Sequence, residues 1–516
     1  MIGHSRRIRI SPCGPSVCAL RPALLLLPLL ALVLVLPSCR KDELFTDEAG
    51  ITLDFSRDSI LFDTIFTTVG SITKRFTARN TSDRAVRVDI SLEGGTPSPY
   101  RINVDGASGT SFSDVEILGG DSVYVFVEAN LGPGGSNTPF VITDRVLFNT
   151  NGTEQSVLLE AWGQNAHFIR PDNFLNGLPP FSYIAGGFDE NGNQICGETV
   201  TWVNDKPYVI YGYGVVDSCN TLIIGEGVRI YMHGGAGLWV YRGGRVEMNG
   251  TVQSPIVFQG DRLEPLYAGL PGQWDRIWIN EGPEGGDNRM TNVVVRNALI
   301  GIQSETWPLV PDLPTSANKL VLNNVNIHNC SAAGILSRNY RIESNNLLVG
   351  DCGQYSVALT GGGEYFFNHS TIANYWNFSV RQTPAFFLTN AFEDVSGNIQ
   401  VRPIVNSRFT NGIIHGNITR EFDLAFNELA IPDVDFDHLL LKTDISTANT
   451  EFFDQATIYR NVEPGFRDVN IRDLHLSSSS FCRNKAVPVP GNTEAINDLD
   501  GVLRLVYDLG CYAYTE

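Results

Sequence analysis

The stretch NNVNIHNCSAAGILS, residues 323–337, is repeated in NNLLVGDCGQYSVALT, residues 345–360. Two further copies, TNVVVRNALIGIQS from residue 291 and NHSTIANYWNFSVRQT from residue 368, align with them without gaps over their first eight residues. The equivalent residues Val295, Ile327, Val349 and Ile372 are separated by 32, 22 and 23 residues, and the longest interval contains the insertion ETWPLVPDLPTSANK. An underlying period of 22 to 23 residues indicates a solenoid.

Over one short stretch, inward-facing and outward-facing positions alternate in each copy. A period of two residues is that of a β-strand. The positions that we predict to face inward are Val293 and Val295, Val325 and Ile327, Leu347 and Val349, and Ser370 and Ile372. One strand per repeat, stacked on its own copies, predicts a parallel β-helix.

The residues that follow each strand fit a sharp corner of such a solenoid. They are Asn297, Asn329, Asp351 and Asn374, and after glycine these two residue types best tolerate the left-handed backbone conformation. The same stacking places Cys330 over Cys352, close enough for a disulfide. A buried pair of reduced cysteines fits the pattern equally well.

Residues 50–165 have a different pattern, with short alternating segments separated by clusters such as NTSDR and LGPGGSN. Such spacing predicts an antiparallel β-sandwich. We expect an all-β protein in which this sandwich is joined by a linker and N-terminal cap, residues 166–199, to a parallel β-helix with a C-terminal cap, residues 200–516.

The N-terminus contains an apolar run, LLLLPLLALVLVLPSCRKDE at residues 24–43, preceded by four arginines and no acid. From Ala23 to Leu36 the run is shorter than the roughly 20 residues of a spanning helix, which predicts a signal peptide, residues 1–38. Leu36-Pro37-Ser38-Cys39 resembles the bacterial lipobox, which implies a lipid on Cys39 and a tether over residues 39–49. An ordinary secretory signal is the alternative.

Three resemblances extend this interpretation. The sequence RKDE after Cys39 resembles the surface-export signal of one lineage of Gram-negative bacteria, which implies a location on the outside of the outer membrane. The segments LIIGEGVRIYMHGGAGLWVYRGGRVEMNGTVQSPIVFQGD from residue 222, PGFRDVNIRDLHLSSSSFCRNKA from 464 and DLGCYAY from 508 resemble bacterial right-handed β-helix lipoproteins. Residues 50–165 resemble immunoglobulin-like modules. These resemblances imply the fold but no chemistry, because fold does not dictate function.

Charge and cysteine content restrict the partners. The net charge of −19 becomes −23 without residues 1–38, which disfavours nucleic acid and anionic lipid. Six cysteines remain after Cys39, and their spacing predicts three local pairs in an oxidising compartment. The candidate pairs are Cys196 with Cys219, Cys330 with Cys352, and Cys482 with Cys511. No zinc motif is present, and we expect neither metal nor cofactor.

The best candidate ligand site is GQWDRIWINEG, from residue 272. If Ile277 and Ile279 face inward, Trp274, Arg276 and Trp278 face outward together, forming a platform on which sugars could stack. A packed satellite core over these side chains is the alternative, with either the insertion around Trp307 or the first domain as its cover. We therefore expect a noncatalytic surface scaffold that binds glycan or an envelope partner.

An enzyme acting on an acidic glycan is the competing hypothesis. A hydrolase needs converging carboxylates, and a lyase needs a basic residue, usually beside calcium. The readable outward positions, including Asn326 and His328, contain no acid pair. Asp433, Asp435 and Asp437 lie on one side of an extended segment, which suits either calcium or a solvated acidic edge.

Overall fold

The computed structural model describes residues 44–67, 69–132, 140–264, 266–306, 314–394 and 396–516. The first ten strands are β1 Leu53–Phe55, β2 Ser59–Phe66, β3 Lys74–Asn80, β4 Val86–Leu92, β5 Tyr100–Val104, β6 Ala107–Gly109, β7 Ser111–Ile117, β8 Ser122–Ala129, β9 Phe140–Thr150 and β10 Thr153–Gln164. They form two five-stranded sheets, ordered β1-β3-β8-β5-β6 and β2-β10-β9-β4-β7.

The two sheets enclose one apolar core, because alternate side chains of each strand point inward. Val88, Ile90, Val125 and Phe148 are fully buried in it. The predicted sandwich is present, but one pairing is not antiparallel: β2 runs parallel to β10. A parallel neighbour is possible here because β2 and β10 are far apart in sequence and are not joined by a hairpin.

The remaining strands are β11 His167–Ile169, β12 Phe181–Ala185, β13 Thr199–Trp202, β14 Tyr208–Ile210, β15 Tyr213–Val216, β16 Thr221–Ile224, β17 Arg229–Met232, β18 Gly237–Val240, β19 Arg245–Asn249, β20 Ile256–Gly260, β21 Ile277–Asn280, β22 Asn288–Arg296, β23 Ile300–Glu305, β24 Lys319–Cys330, β25 Ala333–Cys352, β26 Val357–Asn368, β27 Thr371–Asn374, β28 Phe386–Thr389, β29 Ala391–Glu393, β30 Ile399–Val401, β31 Ser407–Gly416, β32 Phe422–Ala425, β33 Val434–Leu441, β34 Ile458–Arg460, β35 Phe466–Asp468 and β36 Asp473–Leu476. A 3-10 helix spans Val469–Ile471, and the described residues contain no α-helix.

The second unit is the predicted parallel β-helix. In the first coils, each strand pairs in parallel with the strand three positions later in the chain, as β11 does with β14 and β12 with β15. One coil therefore contains three strands. The predicted repeat register is confirmed: Val295 pairs with Ile327, Ile327 with Val349 and Val349 with Ile372. The solenoid strands begin at His167, within the segment predicted as linker and cap.

Asparagines line the corners of the coils. Asn297, Asn329 and Asp351 have the predicted left-handed conformation, with φ of 65°, 59° and 51°, and the Asn329 amide donates to Asn297 Oδ1 at 2.8 Å. Asn374 differs, because its side chain hydrogen-bonds to the backbone of Cys352 instead: Oδ1 accepts from Cys352 N, and Nδ2 donates to Cys352 O. Hydrogen bonds from coil to coil thus keep the polar corners satisfied inside the fold.

The predicted C-terminal cap covers one side of the solenoid. After β35 and β36 the chain runs back along the coils, where Gly510 N donates to Asn411 O at 2.8 Å. Leu474 and Tyr512 of this segment pack on Leu348 and Ala373 of the solenoid. We call residues 466–516 the C-terminal cover.

The cysteines fulfil one of the three predicted pairings. Cys196 and Cys219 form a disulfide, whereas the other four cysteines among the described residues have free, buried thiols, namely Cys330, Cys352, Cys482 and Cys511. Cys330 does lie beside Cys352 in register, as a reduced pair. The predicted bond between Cys482 and Cys511 is wrong, because each sulfur packs in a separate apolar cluster under the C-terminal cover.

The sandwich contacts the first coils of the solenoid. The Phe66 ring, at the end of β2, lies 5.0 Å from the Tyr231 ring on β17. Val209 is fully buried in the same cluster, and Phe168 packs against it. These side chains form a small apolar interface between the two units. No helix among the described residues is long and apolar enough to cross a membrane.

Candidate functional site

The predicted platform is only partly formed. Ile277 and Ile279 are fully buried, so Trp278 lies on the other face of β21. Arg276 immediately precedes the strand, and its side chain is partly exposed. Trp274 does not join them: it is 1% exposed and packs inside the solenoid. Its indole N–H donates to Arg296 O at 2.9 Å. The alternation fails because Trp274 lies in the corner before β21, where strand periodicity does not hold.

A longer set of aromatic rings takes the place of the platform. The Trp278 ring stacks on Trp239, with centroids 4.6 Å apart and planes 10° apart. Trp239 contacts the ring of Tyr213 edge-on and that of Tyr241 likewise. The set continues through further rings of the preceding coil. We call the following residues the aromatic row: Phe181, Tyr183, Phe188, Tyr213, Trp239, Tyr241 and Trp278.

A glycine makes room within the aromatic row. A Cβ on Gly237 would lie 2.6 Å from the Tyr213 ring, so the ring lies against the bare backbone of the next coil. Sequence reasoning missed this row because its members come from different coils, whose register is set by the tertiary fold. The pair Trp239 and Tyr241, at i and i+2, was the one local indication.

Two carboxylates adjoin the row, and donors surround both. Glu305, whose side chain is 1% exposed, accepts from Trp278 Nε1 at 2.7 Å, Gln303 Nε2 at 2.7 Å and Arg338 Nη1 at 3.0 Å. Asp275 accepts from the Tyr213 hydroxyl and from Arg276 Nη2 at 2.8 Å. Burial, together with Asp275, raises the pKa of Tyr213. The two carboxylates therefore fix the positions of the side chains that donate to them. Neither is an unpaired acid or base.

On another side of the solenoid, charged side chains line a groove with a volume of about 570 Å³. Its acids and bases are matched: Lys319 bonds Glu343 at 3.0 Å, and Arg341 bonds Glu364 at 2.9 Å. Arg408 bonds Asp437 at 2.8 Å. This pairing gives the groove a mixed surface with little net charge.

The three aspartates considered for calcium lie beside this groove. Burial alone would raise the pKa of Asp437, but hydrogen bonds from Arg408, Thr410 and His438 lower it. Asp433 accepts from the backbone N–H of Asn406 at 3.0 Å. In the part of the chain that the structure describes, no three His, Cys, Asp or Glu side chains are grouped to hold a metal ion.

Comparisons with known proteins identify no family for this chain. No family model matches the sequence, and no curated protein is similar to it. The catalytic domain of a GH87 α-1,3-glucanase, solved with nigerose, is 11% identical over 71% of this chain and 81% of its own, with a TM-score of 0.17.

Two shorter likenesses each cover 22% of this chain. A family 123 glycoside hydrolase from Clostridium perfringens is 8% identical with a TM-score of 0.17, and the match spans 26% of that enzyme. The Escherichia coli chaperone DraB is 12% identical over 55% of its chain, also with a TM-score of 0.17. At these scores the likenesses carry no argument about activity.

Proposed function

We propose that the protein is a lipid-anchored scaffold on the outer face of the outer membrane and that it binds glycan without cleaving it. The single observation that carries this proposal is the aromatic row on the solenoid surface. Tyr183, Tyr241 and Trp278 are only partly buried there, and exposed aromatic faces are suited to stacking on sugar rings. Arg276 and Arg338 lie beside them, each paired with a carboxylate, and their remaining N–H groups would donate to polar sugar substituents.

The order of the units supports a role at a membrane surface. The described chain starts at Leu44, and Phe45 forms a bridge with Ala85 on the sandwich. A lipid on Cys39, which lies outside the described residues, would therefore attach the chain at the sandwich, an immunoglobulin-like spacer in this proposal. Incorporation of labelled palmitate into the wild type but not into Cys39→Ala would support the anchor. Equal labelling of both contradicts it.

The enzyme alternative is disfavoured by the carboxylates near the row. Asp275 and Glu305 each accept hydrogen bonds from an arginine. A glycoside hydrolase needs one carboxyl to donate a proton and another to act as base or nucleophile. Because the oxygens of both carboxylates accept hydrogen bonds from protein donors, neither group is placed to give a proton to a glycosidic oxygen.

A glycan array tests the proposal with the chain from Arg40 to Glu516. We expect binding by the wild type and loss of binding in Trp278→Ala and in Tyr241→Ala. Trp162→Ala is the matched control, because Trp162 is a half-exposed tryptophan on the sandwich. Absence of binding, or equal binding by Trp278→Ala and Trp162→Ala, overturns glycan recognition by the row. Shortened products after incubation with a bound glycan would establish an enzyme instead.

A further inference from the structure

A cavity of about 270 Å³ lies between the outer face of the solenoid and the C-terminal cover. Side chains from both parts line it, among them Asn326, His328, Asp351, Tyr375, Arg472 and Tyr512. We call it the cover cavity. It is separate from the aromatic row, so a ligand bound here would be independent of glycan bound at that row.

The cavity arises from the side chains at one outward position of successive coils. In register these are Arg296, His328, Gly350 and Ala373, so the side chains become small at the third and fourth coil. A Cβ on Gly350 would lie 2.6 Å from Ala373 O, which keeps this position without a side chain. The C-terminal cover spans the resulting hollow instead of filling it.

Arg472 and Asp351 both line the cavity and form an ion pair, while Arg296 holds the register position next to His328 on the preceding coil. Arg296 therefore contributes one positive charge beside the cavity that this ion pair does not neutralise. Arg472 bonds Asp351, and its Nη2 lies 3.5 Å from Asn329 Oδ1, which leaves N–H donors for a ligand. Arg296 is held by the neutral side chain of Gln259. Burial and, to a smaller extent, the neighbouring Arg472 lower the pKa of Arg296.

His328 adds a hydrogen-bond acceptor. Its Nδ1 lies 3.0 Å from Asn326 Oδ1, so this nitrogen carries the proton and donates. Burial, with Arg472 and Arg296, lowers the pKa of His328 to about 3, and the imidazole is neutral at pH 7. Nε2 is therefore a bare acceptor, and within the described ranges no residue hydrogen-bonds to it.

We propose that the cover cavity binds a single sugar residue bearing a carboxylate. The carboxylate would pair with Arg472, with Arg296 adding to the positive field, and a ring hydroxyl would donate to His328 Nε2. Tyr375, Tyr512 and the apolar floor supply surfaces for the ring. Pockets for larger ligands have volumes of about 300–1,000 Å³, so 270 Å³ suits one ring better than a chain.

Isothermal titration of the chain from Arg40 to Glu516 tests this site with galacturonate and glucuronate as probes, and with galactose, glucose and acetate for comparison. We expect a uronate to bind at least tenfold more tightly than its neutral counterpart and than acetate. Arg472→Gln and His328→Gln should each weaken binding at least tenfold. Arg420→Gln is the matched control, because Arg420 is similarly exposed and pairs with Asp444.

The site is disproved if neither uronate binds the wild type, if acetate binds as tightly, or if the variants bind like the wild type. Because Arg472 also holds the C-terminal cover in place, its substitution could weaken binding indirectly. Uronate binding by Arg296→Gln, a substitution on the solenoid side of the cavity, is therefore measured as well. Melting curves check that each variant is folded. Trp278→Ala should bind uronate normally, which separates failure of this site from failure of the aromatic row.

Discussion

Arg381 and Glu421 form an ion pair sealed within the solenoid, with Nη1 to Oε2 at 2.8 Å and Nη2 to Oε1 at 2.5 Å. Their side chains are 1% and 0% exposed. The backbone N–H groups of Ala385 and Ile418 also donate to the carboxylate. Four donated hydrogen bonds compensate for the removal of this charge from water.

Neutralising the acid should be costly, because a buried guanidinium would lose its counter-charge. We expect Glu421→Gln to lower the free energy of unfolding by about 3–5 kcal/mol, measured by urea denaturation. Asp444→Asn, which breaks the exposed pair with Arg420, should leave stability within experimental error. Equal effects of the two substitutions would contradict a stabilising role for the buried pair.

A second prediction concerns pH and His415. Burial, with nearby Lys442, lowers the pKa of this histidine to about 4. The Glu463 carboxylate, 3.8 Å away and largely exposed, does not offset burial. Between about pH 4 and 6.5 the unfolded chain therefore binds more protons than the folded one, so stability falls as pH falls through this range.

The comparison with His415→Gln isolates this effect from that of the other histidines. From pH 6.5 to 5 we expect the wild type to lose about 1.5 kcal/mol more than the variant, because the slope approaches roughly 1.4 kcal/mol per pH unit only where the unfolded imidazole is fully protonated. Urea denaturation at several pH values measures both. Parallel pH profiles would show that His415 titrates normally.

A third prediction concerns the thiols. The native chain from Arg40 should resist iodoacetamide, because its four free thiols are buried and burial raises the pKa of Cys482 and of Cys511 to about 12. After denaturation without reductant, mass spectrometry should find four labels, and after reduction six. Two labels without reductant would indicate an additional disulfide, and peptide mapping would identify it.

A fourth prediction concerns neighbouring asparagines at one corner. Asn346 has a φ of 51°, donates to Asn324 Oδ1 at 2.9 Å and accepts from Arg504 Nη2 at 2.9 Å. Either truncation removes these bonds, but alanine adds left-handed strain, so Asn346→Ala should be about 1 kcal/mol less stable than Asn346→Gly. Melting and denaturant curves measure the difference.

The adjacent position supplies the control. Asn345 has no positive φ, and its Oδ1 accepts from Asn368 and Asn492. There the order should reverse, with Asn345→Gly less stable than Asn345→Ala by roughly 0.5–1 kcal/mol, because glycine loses more backbone entropy on folding. The same order at both positions would show that the backbone conformation is not the cause.

The sequence alone determined the features that repeat along the chain. The spacing of Val295, Ile327, Val349 and Ile372 predicts both the stacking of coils and the inward positions, because strand alternation and coil length are local properties. The corner conformation of Asn297 and Asn329 follows from the same register. The disulfide of Cys196 with Cys219 also connects neighbouring segments.

The tertiary structure decided the contacts that repetition does not encode. The side on which Trp274 lies depends on where β21 begins, and the neighbours of Trp239 depend on how the coils stack. The path of the C-terminal cover along the side of the solenoid separates Cys482 from Cys511 and encloses the cover cavity. These contacts join segments that are far apart in sequence. The repeat period specifies the spacing of neighbouring coils but not which distant segments pack together.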